Sequence, residues 1–132
     1  MNKQQNIVGW FEIPVTNMER AIKFYETLFE IKLSRNTMGN LDMAWFPGNM
    51  EGPGAAGSLV YNPEMYKPSS EGTLVYFSSQ YGDVSRELSK IEEAGGTVVM
   101  PKTLIAEDIG YMAICIDSEG NRIALHSQKQ LV

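Results

Sequence analysis

The chain has 132 residues, a formal net charge of -5 and no cluster of Lys or Arg, which argues against nucleic acid, whose binding rests on neutralised phosphates. The single Cys115 excludes an internal disulfide, and no apolar run reaches the ~18 residues of a membrane span. The expectation is one cytoplasmic domain over 1–132, able to bury its own core, with net charge leaving a cationic small molecule open as a partner.

In chain order, Ile7 to Val15 is rich in β-branched and aromatic residues and predicts a strand. Alternation sets Trp10, Glu12 and Pro14 on one face and Phe11, Ile13 and Val15 on the other. The second face is apolar and suits packing under a helix; the first mixes an indole with a carboxylate and suits a cavity wall. Thr16 to Glu19 matches a capping box, with Thr16 as cap and Glu19 reaching back. Ile22, Tyr25, Leu28 and Phe29 then follow at helical spacing. Ile31 to Ser34 and Leu41 to Phe46 read as a hairpin across the turn at 38–40. The glycine-rich stretch 47–57 predicts a loop, and Ser58 to Tyr61 a fourth strand.

The second half repeats the plan after a linker over 62–72. Thr73 to Ser79 predicts a strand, and Asp83 caps a helix with Val84, Leu88 and Ile91 on its apolar face. Gly95 and Gly96 stop that helix, Thr97 to Met100 forms a strand closed by Pro101, and Leu104 to Gly110 forms a loop. Tyr111 to Ile116 and Arg122 to His126 are strands joined by the tight turn Asp117 to Asn121. The caps lie 66 apart (83 minus 17), and the same offset carries Gly57 onto Ile123, so the chain reads as tandem βαβββ modules over about 6–61 and 73–127. Cys115, between two isoleucines, reads as a buried structural thiol. Met43, Met50, Met65 and Met112 read as fillers, and Glu92 with Glu93 as a solvated helix end.

The run from Ile13 to Phe29, the Gly95 to Pro101 segment and the closing Asp117 to His126 together resemble the vicinal oxygen chelate superfamily of glyoxalase I, bleomycin-resistance proteins and extradiol dioxygenases. The resemblance implies an α+β fold in which the two modules form a cupped mixed sheet with helices outside. It further implies a small-molecule site in the cup and a homodimer. The family's four metal-ligand places fall on Trp10, near Ser58, at Thr73 or Leu74, and on Ala124, none of them a good ligand. No cofactor is therefore expected, and a divalent metal would need a site rebuilt around Glu12 and His126. His126 is the only histidine, which rules out a two-histidine iron site within one chain.

Glu12 and His126 share the parity of the vanished ligand places and are the candidate catalytic pair, a carboxylate orienting an imidazole. The same residues equally suit a non-catalytic ligand contact, or a structural role with Glu12 paired to Arg122. Trp10, Trp45 and Tyr76 are the candidate ligand-binding aromatics, with Trp45 equally suited to core packing. Two main functions stay open at this point. One is a glyoxalase-like enzyme acting on a small oxygenated metabolite by proton transfer or isomerisation. The other is a metal-free, metabolite- or drug-sequestering protein of bleomycin-resistance type. A partner-binding subunit is a third, suggested by the long Gly/Pro connections.

Overall fold

In the computed structural model, residues 6–49 and 52–128 are described; Met50 lies outside them. The first half runs β1 (Trp10–Pro14), α1 (Met18–Phe29), β2 (Ser34–Met38), β3 (Leu41–Trp45) and β4 (Ala56–Tyr61). The second runs β5 (Val75–Ser78), α2 (Val84–Leu88), α3 (Ile91–Ala94), β6 (Thr97–Ala106), β7 (Gly110–Ile116) and β8 (Arg122–Ser127). The strands form two four-stranded sheets, ordered β1-β4-β3-β2 and β5-β8-β7-β6. In each sheet the first strand pairs parallel with the last, and the remaining ladders are antiparallel. Among the described residues no ladder joins the two sheets, so the cup is bounded by two sheets and not by one continuous one.

The duplication is written into the registers. β4 and β8 begin 66 residues apart (122 minus 56), and so do the helix caps Asn17 and Asp83. Glu12 pairs with Ser58 and Tyr76 with Ala124, so the β5-to-helix connection is two residues longer (76 to 83 against 12 to 17). The apolar face of β1 packs as its alternation predicts: Ile13 and Val15 are buried against α1, whose Phe24, Tyr25 and Leu28 are fully enclosed. Each such side chain contributes about 1.5–3 kcal/mol relative to exposure. Phe77 of β5 meets Phe11, Tyr25, Phe29 and Phe46 at centroid distances of 5.1–5.8 Å, so one aromatic cluster spans both halves.

Four local expectations are corrected. The cap of α1 is Asn17, whose Oδ1 accepts from the Arg20 N–H at 3.0 Å. Thr16 is unavailable as a cap because its hydroxyl and its N–H both donate to Glu119, at 3.0 and 2.9 Å; Glu119, not Glu19, satisfies that backbone group. β2 begins where it was expected to end, because the turn at Gly39 (φ +63°) fixes a hairpin pairing Met38 with Leu41 and Ser34 with Trp45. As an edge strand it needs no apolar alternation, and its residues are mostly exposed.

The second helix breaks into α2 and α3 at Ser89, whose hydroxyl donates to the Arg86 carbonyl at 2.7 Å, a local bond that competes with the helix ladder. Gly95 (φ +109°) ends α3 in the left-handed conformation expected of it. Finally, β6 runs through Pro101 to Ala106, and only a short turn replaces the expected loop from Leu104 to Gly110. β6 is the edge of its sheet, where a missing N–H breaks no ladder bond, and its register shifts around Met100 and Thr103 absorb the ring.

The turn between β7 and β8 holds the halves together. Tyr25 donates to Asp117 at 2.6 Å, and Asn121 donates to the Pro14 carbonyl at 2.8 Å. Glu119, its side chain fully enclosed, accepts from the Thr16 and Asn17 N–H groups, the Thr16 and Ser118 hydroxyls, and the Arg20 guanidinium. Burial alone would raise its pKa, but these hydrogen bonds, led by Arg20, outweigh burial and hold it down at about 2. The carboxylate thus caps the N-terminus of α1 from the far end of the chain.

Candidate ligand cavity between the two halves

A cavity of about 640 Å³ opens between the neighbouring edges of β1 and β5. Trp10 to Pro14 line it from β1, Leu74 to Tyr76 from the start of the second half, Lys67 and Ser69 from the linker, Asn121 from the turn before β8, and Arg122 and Ile123 from β8. The indole and the carboxylate of the first strand thus stand on the lining, as do Phe11 and Ile13 of its opposite face. Ser69 accounts for the linker's position: its N–H donates to Asn121 Oδ1 at 3.1 Å, and its carbonyl accepts from the Arg122 N–H at 3.4 Å.

Glu12 sits at the centre of the β1 wall. Its Oε1 accepts from the Tyr66 hydroxyl at 2.8 Å and its Oε2 from the Trp10 Nε1–H at 3.3 Å. The Glu12 carboxylate in turn raises the Tyr66 pKa, keeping that hydroxyl protonated as a donor. Register places Glu12, Ser58 and Trp45 in one row across β1, β4 and β3. Trp45 meets Trp10 edge-on at 5.3 Å, and the small Ala56 and Ser58 on the strand between leave room for the two indoles. Trp45 Nε1 and Ser58 Oγ are both enclosed and without hydrogen-bond partners, as is Nε of Arg122. Such groups are rare in folded proteins.

The structure thus brings Trp10, Glu12 and Tyr76 to one cavity, with Trp45 behind Trp10 and off the lining. Tyr76 is half exposed and its hydroxyl reaches Met112 Sδ at 3.8 Å. His126 is not brought to Glu12. Its Nε2 lies 2.7 Å from the Ile109 carbonyl, which only accepts, so Nε2 carries the hydrogen, and His126 does not line the cavity. Glu12 and Arg122 do not pair either; the guanidinium Nη2 reaches only the Gly72 carbonyl, at 3.4 Å. Sequence reading did not single out Tyr66 or Lys67, which lie on an aperiodic linker. Nor did parity single out Arg122, since Ala124 and His126 share its parity and lie off the lining while Ile123 of the opposite parity is on it.

A second groove of about 660 Å³ runs along the outer side of α1 among Glu19, Lys23, Glu26 and Lys32. Charges of both signs line it and none of its groups is enclosed and unpartnered, so it reads as a solvated helix face.

The chain matches the family model of the Glyoxalase/Bleomycin resistance protein/Dioxygenase superfamily over residues 7–125, and it belongs to that superfamily. Solved structures share its fold at low identity. A glyoxalase/bleomycin resistance protein from Albidiferax ferrireducens is 15% identical with a TM-score of 0.70, covering 94% of this chain and 100% of its own. Glyoxalase I from Zea mays is 19% identical with a TM-score of 0.66; the match covers 90% of this chain but 45% of the maize enzyme. The antibiotic binding protein TnmS3 from Streptomyces sp. CB03234 is 24% identical with a TM-score of 0.63, covering 97% of this chain and 100% of its own. Comparison with curated protein sequences gives no significant match.

The family's metal can be tested against the side chains at its four places. An indole N–H has no lone pair to give, and Leu74 and Ala124 have no donor atoms. Ser58 and Thr73 supply neutral hydroxyls only, and Glu12 already accepts from two donors. This donor set does not fit a divalent cation, so no step is derived through one. No helix among the described residues is long and apolar enough to cross a membrane.

Proposed function

We propose that this protein binds a small molecule with a flat apolar body in the cavity between β1 and β5, holding it with its own side chains and without a metal. The observation that carries the reading is the composition of that wall. Trp10, Leu74 and Tyr76 offer apolar area, and Glu12 and Arg122 offer placed polar groups, the usual make-up of a ligand site. The closure of the wall by Tyr66 supports it, since the linker is held on the cavity side by the bond to Glu12. Binding of a small molecule without turnover, with TnmS3 described as an antibiotic binding protein, is the form of function this arrangement favours.

Of the chain's two tryptophans, Trp10 lines this cavity and Trp45 packs edge-on against it, so their emission reports occupancy. Titration with a panel of bicyclic aromatic compounds is expected to quench or shift that emission saturably. Trp10→Ala is expected to weaken binding about tenfold or more, the scale of one aromatic contact surface. Saturable binding that is indifferent to Trp10→Ala would contradict the reading.

The carboxylate in the wall favours a second reading, an enzyme in which Glu12 accepts a proton from bound substrate. His126 takes no part in that version, because it is held at Ile109. Turnover abolished by Glu12→Gln with binding retained would support it. The homodimer is proposed on family resemblance and is decided by light scattering.

A further inference from the structure

We infer that the ligand is an organic anion, a carboxylate on a flat apolar body, received by Arg122 together with Lys67; the inference rests on reading this cavity as the ligand site. The net charge of -5 points the other way, toward cations, but the wall has a different balance from the whole chain. Of its charged residues two are cationic, Lys67 and Arg122, and one is acidic, Glu12.

Arg122 is the residue that decides. Its Nε is shut away from solvent and has no hydrogen-bond partner, and its Nη2 has only the long contact to the Gly72 carbonyl. The enclosed Nε is out of a ligand's reach, but Arg122 lines the cavity without an ion pair, and the rest of its guanidinium is left for an acceptor delivered from outside the chain. Among the described residues, ion pairs engage Arg20, Lys32, Arg35, Lys90 and Lys102; Lys23, Lys67, Arg86 and Arg122 take part in none, and of these four only Lys67 and Arg122 line the cavity.

Glu12 forms an ion pair with neither of them. Its two oxygens are turned to Tyr66 and Trp10, which bind it to its own wall. The guanidinium fork matches the geometry of a carboxylate, and a charge-assisted bond there is stronger than a neutral one. The exposed Lys67 adds a second positive charge from the linker. Trp10, Leu74 and Tyr76 then face the apolar body of the same molecule.

The test is calorimetric titration of the full chain with three isosteres: 2-naphthoate, 2-naphthamide and 2-naphthylmethylamine. The expected result is naphthoate binding about tenfold or more tighter than the amide, with the amine weakest, as one charge-assisted bond implies. Arg122→Gln should bring naphthoate down to the level of the amide, and Arg122→Lys should restore part of the difference. Lys67→Gln, on an exposed side chain, should weaken naphthoate a few-fold and leave the amide unchanged. Melting curves on each variant separate loss of binding from loss of fold. Equal affinity for acid and amide, or preference for the amine, overturns the anion assignment and leaves the cavity reading standing. Failure of all three to bind overturns both.

Discussion

Glu119→Gln removes one charge from an enclosed carboxylate and leaves the shape of the side chain in place. In the folded protein that carboxylate accepts from Arg20, from the backbone of Thr16 and Asn17, and from two hydroxyls. Its pKa is held at about 2 against an ordinary 4.5, which corresponds to about 3 kcal/mol of stability when the group is charged. The folded value lies below the unfolded one. The contribution is therefore complete above pH 4.5 and is lost progressively as pH falls toward about 2. Urea unfolding at neutral pH should show the variant less stable by about 3 kcal/mol, or lower in melting temperature by about 10 °C for a domain of this size. The gap between the two proteins should narrow as the buffer is taken below pH 4.5. A variant within about 0.5 kcal/mol of wild type at neutral pH, or a gap constant down to acid pH, would refute the reasoning.

Tyr25→Phe removes the 2.6 Å bond to Asp117, which retains Asn121 as a donor, and should cost about 1–2 kcal/mol by denaturant unfolding. Gly57→Ala places a methyl group into the ring of Phe11 and should cost about 1–3 kcal/mol, recovered in part when Phe11 is replaced by Leu. Cys115 is enclosed, and burial followed by the charge of Asp117 pushes its thiol up to about 12. Ellman's reagent at mildly alkaline pH should leave it untouched in the native protein and titrate one thiol after denaturation.

Much of the fold could be read before the structure, because its signals are local and repeated. The cap at Asp83, the stop at Gly95 and the 66-residue offset are each written in a few neighbouring residues, and the sheets follow from them. Two of the misreadings, at Gly39 and Ser89, have local causes, and the other two depend on partners far along the chain or across the sheet. Thr16 satisfies every rule for a capping residue, but Glu119, 103 residues on, takes its hydroxyl and its N–H. Pro101 reads as a strand end until the sheet order shows β6 at an edge. At the site, alternation pointed to Trp10 and Glu12, but the cavity runs along the edge of β1 and takes Phe11 and Ile13 of the other face as well. The same parity could not tell that Glu12 would meet Tyr66 from the linker, or that His126 would turn to Ile109. Those contacts depend on how the linker and the β6–β7 turn pack, and neither has a period to read.

The claim on which the functional reading depends is that a ligand enters between β1 and β5. Two-dimensional ¹H–¹⁵N correlation spectra test it directly, because the two indole N–H signals report on Trp10, held by Glu12, and on the enclosed, unpartnered Trp45. Addition of 2-naphthoate should shift both indole signals and the amides of Glu12, Leu74, Tyr76 and Arg122 along one saturation curve. Saturable shifts confined to the outer groove of α1, around Lys23 and Glu26, with both indoles unmoved, would contradict it.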